Sequence, residues 1–173
     1  GNTRAGFGLG QAYEQRSKCV RVFNYRMELM TEPETLAKLG FPPLTEQGYQ
    51  DIKLALDAYS KAVASYPPYT EAYYRQGLLH FVSGRQAEAR SVLEQAVAQE
   101  RSSIPPAVLL AYVYLEDGNA QAAAAQIERI RSAAGDPANA LILGASAVME
   151  FRNGRLDLAE TMLAQAVSRP DAP

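Results

Sequence analysis

Five residues near the start, Gly-Phe-Gly-Leu-Gly at 6–10, are the first that could do chemistry. Clustered glycines let backbone N–H groups close around a phosphate. A dinucleotide site also needs a third glycine at the fingerprint spacing and a strand before it, and neither is present. Close packing between helices accounts for these glycines better. The chain has one histidine, His80, and one cysteine, Cys19. That pair cannot supply a zinc ligand set. Glu88, Glu94, Asp117 and Glu128 are spread along helical faces that read as exposed, whereas acid–base catalysis needs two such groups together in an apolar cleft. The residues therefore point away from an enzyme and ask for no metal and no cofactor.

Charge and composition narrow the classes further. The 173 residues are 47% apolar and 21% charged, ordinary for a globular chain. The net charge of -2 and a pI near 5.5 supply no field that would favour nucleic acid. Arg16, Lys18, Arg21 and Arg26 form a loose basic stretch flanked by Glu14 and Glu28, which reads as a solvated helix face. No run of eighteen apolar residues occurs, so nothing is expected to insert in a membrane. A single cysteine forms no internal disulfide, and Cys19 reads as a small packing residue. No signal peptide is read, and the Gly-Asn-Thr-Arg start without methionine reads as trimmed, either of a targeting segment or of further repeats. Bacterial periplasm and cytoplasm stay equally open, as does the oligomeric state.

The elements that carry these residues repeat. "SGRQAEARSVLEQAV" (83–97) has apolar residues at Ala89, Val92, Leu93, Ala96 and Val97, which is helical spacing. It opens on Gly84, and a second helical pattern precedes it. Gly118 follows 34 residues later and Gly154 another 36 later. Each glycine has an alanine five residues on (Ala89, Ala123, Ala159) and a large apolar residue four beyond that (Leu93, Ile127, Leu163). A period near 34 means stacked helix–turn–helix units, each glycine taking positive φ where the chain reverses.

This pattern resembles the tetratricopeptide repeat. Its positions are filled by Ala72, Tyr73, Gly77, Gly84, Ala89, Leu93 and Ala96 in the clearest copy, residues 70–101. "GNAQAAAAQIERI" and "GRLDLAETMLAQAV" are weaker copies. "IKLALDAYSKAVASYPP" resembles the second helix of an earlier copy, with Ala55, Tyr59, Ala62 and Pro67 in place, and "FGLGQAYEQ" the first helix of another. The resemblance implies an all-α fold, a right-handed superhelical solenoid of antiparallel helix hairpins, with roughly four to five units. Residues 1–50 form an irregular N-terminal helical region with a degenerate repeat, and 51–173 the regular array.

The resemblance also implies a functional face, since the family's first helices line a concave side. The matching residues are Tyr74, Leu78, Phe81 and Val82, then Val108, Tyr112, Leu115 and Glu116, then Val148, Phe151 and Arg152. Members that grip the acidic C-termini of chaperones carry a lysine–asparagine–arginine clamp there. Tyr74, Leu78 and Leu109 take those places, so the clamp is absent. An apolar, aromatic lining suits a helix or extended segment of a protein partner. Its function is then that of a non-catalytic scaffold or adaptor. The alternatives are a structural segment of a larger envelope or secretion assembly, and a secretion chaperone that shields a client. In a solenoid that joins only neighbours, Cys19 and His80 stay apart, and His80 reads as a partly buried packing residue.

Local signals place the element ends. Residues 3–30 read as helical, with a turn or a continuous helix at Arg16–Lys18. Thr31 and Glu34 have capping-box spacing for a short helix over 32–40, which Pro42 and Pro43 close off. A helix resumes at Thr45 and runs to about Ala64. The first helix of the second unit reads as shortened, replaced or followed by an insertion. Asp136 and Pro137 read as the N-cap and first residue of a later helix, and 168–173 as a frayed tail.

Overall fold

The computed structural model describes residues 2–17 and 45–169. Among these residues there are eight helices and no strand: α1 (Asn2–Ser17), α2 (Glu46–Ser65), α3 (Thr70–Val82), α4 (Gln86–Gln99), α5 (Ile104–Glu116), α6 (Ala120–Ala133), α7 (Ala140–Arg152) and α8 (Leu156–Val167). They fall into two compact units, Gly1–Arg85 and Gln86–Pro173. The expected 32–40 helix, the Pro42–Pro43 break, Cys19 with its basic neighbours, and the last residues of the tail lie outside the described residues.

The three turn glycines share one hydrogen-bonding pattern. Gly84, Gly118 and Gly154 have φ of 73°, 74° and 77°. Their N–H groups donate to the carbonyls three residues back, on Phe81, Leu115 and Phe151, at 3.0, 3.1 and 3.0 Å. The next N–H groups, on Arg85, Asn119 and Arg155, reach five residues back to His80, Tyr114 and Glu150 at 2.9, 2.8 and 2.9 Å. This paired closure satisfies carbonyls that a helix end leaves orphaned, and it requires the left-handed conformation at the glycine.

In the first unit α1 runs antiparallel to α2, Gly6 lying over Ala58–Ala62, Gly10 over Tyr59, and Arg16 against Asp51. The sequence pattern assigns these helices to different copies, yet they pack as one pair. Twelve positions separate Gly77 from Ala89, Ala111 from Ala123 and Ala147 from Ala159, whereas 45 separate Gly10 from Ala55. The extra chain therefore falls between the two helices of a single pair, and of the three expectations for its first helix, α1 fits the one that is followed by an insertion. Phe7, Ile52, Ala55, Leu56, Tyr59, Ala62, Ala72 and Leu79 form the core of this unit. Burying side chains of this size contributes about 1.5–3 kcal/mol for each large one. The Phe7 ring lies 5.4 Å from Tyr59 and 4.7 Å from Tyr69.

In the second unit α5 packs on α6 and α7 on α8 as hairpins, while α4 meets α5 and α6 meets α7. Prolines at its start suit α5, because the first turn has no intrahelical N–H bond to lose. One boundary differs from the sequence expectation. Helix α7 starts at Ala140 with Asn139 as its cap, the Asn139 side chain accepting from Leu141 N–H at 3.0 Å. Asp136 instead accepts from Ala138 N–H at 3.0 Å in the preceding turn. Both residue types cap helices and make such turns, so two candidates three apart compete for the role.

These contacts set three expected stabilities. Gly84→Val forces a β-branched residue into positive φ and should cost about 1–2 kcal/mol, although space around the site is open. Gly144 lies inside α7 with open space where an added methyl would sit, so Gly144→Ala should stabilise by up to about 1 kcal/mol. In Gly10→Ala the new Cβ would sit 2.5 Å from the Tyr59 ring, and the pair should lose about 1–3 kcal/mol. Urea melts of the three variants check the order.

Candidate peptide-binding face

Within the first unit, Tyr74, Leu78, Phe81 and Val82 all lie on α3. Leu78 is buried, while Tyr74, Phe81 and Val82 are half-buried. Val82 packs against the unit's core, so part of its surface is already in use. Burial raises the Tyr74 hydroxyl pKa, partly offset by the adjacent Arg75. The Arg75 guanidinium carbon stands 5.8 Å from the Tyr74 ring centre.

In the second unit the corresponding residues come from α5 and α7, which pack on each other. Val108 and Leu115 are buried and serve the core, as does most of α5. Tyr112 is half-buried, and burial pushes its hydroxyl pKa up to about 12. Val148 is half-buried and Phe151 is exposed over 55% of its surface. Arg152 crosses to α5, donating from Nη1 to the Leu115 carbonyl at 2.8 Å and from Nη2 to Glu116 Oε1. A cation at the C-terminal end of α5 also meets the negative end of its dipole. Helix α7 thus carries an exposed ring at Phe151 and, at the next residue, a guanidinium held in an ion pair. The ring offers apolar contact area and the guanidinium an oriented donor.

A polar cluster in the first unit is not legible in the sequence pattern. Glu14 reads as part of a solvated face, yet it is buried. Its carboxylate accepts from Tyr59 Oη at 2.5 Å and from Arg75 Nη1 at 2.9 Å, and Arg75 Nε also donates to Glu71 at 2.7 Å. Burial, then the Glu14 hydrogen bond, raise the Tyr59 pKa, which keeps its proton on the phenol. A signal is present at residue 59. Where Leu93, Ile127 and Leu163 stand in later copies, a tyrosine stands here, and a buried hydroxyl needs a partner. Nearby, Arg16 of the same stretch donates from Nε and Nη2 to buried Asp51 at 2.8 and 2.6 Å. That hydrogen bond lowers the Asp51 pKa below its usual 3.8.

Glu88, Glu94, Asp117 and Glu128 are exposed and apart, and His80 is half-buried. Among the described residues no group of three or more His, Cys, Asp or Glu side chains could hold a metal ion, and no helix is long and apolar enough to cross a membrane.

A family model for the tetratricopeptide repeat matches residues 50–103 and 108–173. No curated protein sequence matches the chain. Among solved structures, it is similar to TTC0263, a thermophilic TPR protein of Thermus thermophilus, at 21% identity over 97% of this chain and 91% of that one, with a TM-score of 0.61. It is also similar to MamA, at 22% identity over 83% of this chain and 81% of that one, with a TM-score of 0.56. At such identities the likeness concerns the fold.

Two outcomes are expected of the polar contacts. Asp51 has a lowered folded pKa, so its stabilising contribution is complete above 3.8 and fades as pH falls below that value. Asp51→Asn should be less stable at neutral pH and flatter in acid, as melting curves across the acid range would show. Glu14→Ala leaves the Tyr59 hydroxyl and one side of Arg75 unpaired, and should cost about 2 kcal/mol or more by denaturant unfolding.

Proposed function

The chain belongs to the tetratricopeptide repeat family, whose fold is typically a non-catalytic scaffold for protein–protein contact, and we propose that it binds a peptide or helix of a protein partner through the aromatic inner residues of its first helices. The exposed Phe151, with the Arg152–Glu116 pair formed by the next residue of α7, carries this reading. An exposed ring costs little to desolvate, and the guanidinium is already held by the Leu115 carbonyl, so a ligand meets a preorganised donor. Tyr112 supplies a second aromatic surface in the same unit, and Tyr74 and Phe81 supply their own on α3.

The buried members of the series act differently. Leu78, Val108 and Leu115 stiffen the helices that present the aromatic residues. A ligand of this face carries apolar side chains at helical or extended spacing, with a polar group for the ion pair. The face lacks the cationic clamp that an acidic C-terminus would need, since Tyr74, Leu78 and Leu109 stand in those places.

The test begins with a peptide-display selection on the full chain. Phe151→Ala and Tyr112→Ala should each leave the fold intact and weaken the selected peptides by roughly tenfold or more. Tyr74→Ala and Phe81→Ala are measured alongside them, and thermal melts separate lost binding from lost fold. Folded variants that bind as well as the parent would show that these residues are packing groups only.

A further inference from the structure

Helix α8 is apolar on a side that its packing on α7 leaves open. Leu156, Leu163 and Val167 recur along it at helical spacing and are exposed, whereas its buried residues are Ala159 and Ala166. The repeat provides an internal control. Counted from the turn glycines, Leu163 holds the place of Leu93 in α4 and Ile127 in α6. Those two are 0% and 2% exposed, and Leu163 is 47% exposed. Val167 holds the place of Val97, and their exposures are 78% and 2%. Both α4 and α6 have a following helix packed on them, α5 and α7 respectively. The covering element at this place in the repeat is thus the first helix of a pair.

Helix α1 is such a helix, and it too has an open side. Counted from Gly10 against Gly77, Leu9 holds the place of Gln76 in α3, Leu110 in α5 and Ser146 in α7. All three are buried, while Leu9 is 51% exposed. Beside it opens a hollow of about 490 Å³, lined by Ala5, Gly6 and Leu9 of α1 and by Lys61, Ala64 and Ser65 of α2.

The two open sides match in kind. Between α6 and α7, Arg131 Nη2 donates to Ser146 Oγ at 2.8 Å, which shows that these two places face each other. In α4 and α5 the same places hold Val97 and Leu110, both apolar and buried. In α8 and α1 they hold Val167 and Leu9, again apolar with apolar. A second pair of places is charged. Arg90 of α4 bonds Asp117, at the end of α5, at 3.2 Å. The same places hold Glu160 on α8 and Arg16 on α1, opposite charges with the signs exchanged; both residues are exposed, although Arg16 also bonds Asp51 within its own chain.

We infer that a second copy of this chain docks its α1 on α8, so that the contact joining successive repeats within the chain also joins one chain to the next. This assignment uses none of the residues of the proposed peptide-binding face. The contact is head-to-tail, so each added copy leaves a free α8 and a free α1, and growth does not stop at a dimer unless the ring closes.

Sedimentation of the full chain over a roughly hundredfold concentration range tests it. The average mass should rise with concentration beyond two copies. Leu163→Glu and Leu9→Glu should each weaken association by roughly tenfold or more. Mixing the two variants should yield a dimer that grows no further, because each retains the face the other has lost. Val167→Glu and Ala12→Glu repeat the test at neighbouring exposed positions if either first variant loses helicity. A single 18.8 kDa species at every concentration overturns the proposal. So does association that Leu163→Glu blocks and Leu9→Glu does not, which would mean α8 meets its own kind. Mixed variants that stay monomeric would overturn it as well.

Discussion

Close approach of paired helices, made through one small residue per second helix, is the constraint on which the rest of this molecule depends. Within the two units Ala55, Ala123 and Ala159 occupy that position and all are buried. A larger side chain there would push the helices apart and misalign every contact along them. The turn glycines serve the same requirement. The positive φ of Gly118 and Gly154 lets the chain reverse in a few residues, so α6 starts already beside α5 and α8 beside α7. In the first pair Gly10 takes the matching role from the other side, allowing the Tyr59 ring to lie close against the α1 backbone.

Because spacing is set by backbone and small residues, the units differ in what fills the remaining volume. The second unit fills it mainly with aliphatic side chains, such as Ile127, Ile130 and Ile142, and also buries Gln126, Ser146 and Glu150. The first unit admits a tyrosine and a carboxylate, and then needs Arg75 to complete their hydrogen bonds. Such a cluster contributes little net stability over an apolar filling, since desolvation offsets much of its attraction. It does tie α1 to α2 and α3 in one register, because a shift of a single residue would strand a charge.

The same geometry explains why the proposed functional surfaces lie where they do. A hairpin repeat buries the positions that meet the next helix and leaves a fixed set open. On α5 and α7 that open set holds Phe151 and the Arg152–Glu116 pair. On α8 it holds Leu156, Leu163 and Val167, apolar residues of the kind that lie buried in α4 and α6. The proposed peptide face and the proposed self-docking side share no residue.

The sequence by itself determined the turns at Gly84, Gly118 and Gly154, the alanine seam and the all-α class. Those features are local or periodic, so a single pass along the chain contains them. Tertiary structure alone decided the pairing of α1 with α2. The connection between them is longer than in any other pair, and no local signal spans it. It also decided which inner residues are open, for Leu78 and Phe151 look alike in one dimension while only the first is covered by packed neighbours. Glu14 shows the same limit. Arg16 and Lys18 close after it in sequence suggest solvent, but its partners Tyr59 and Arg75 stand 45 and 61 residues away and are brought to it only by the folding of helices onto one another. Burial depends on contacts between distant segments, and a sequence read in order does not carry that information.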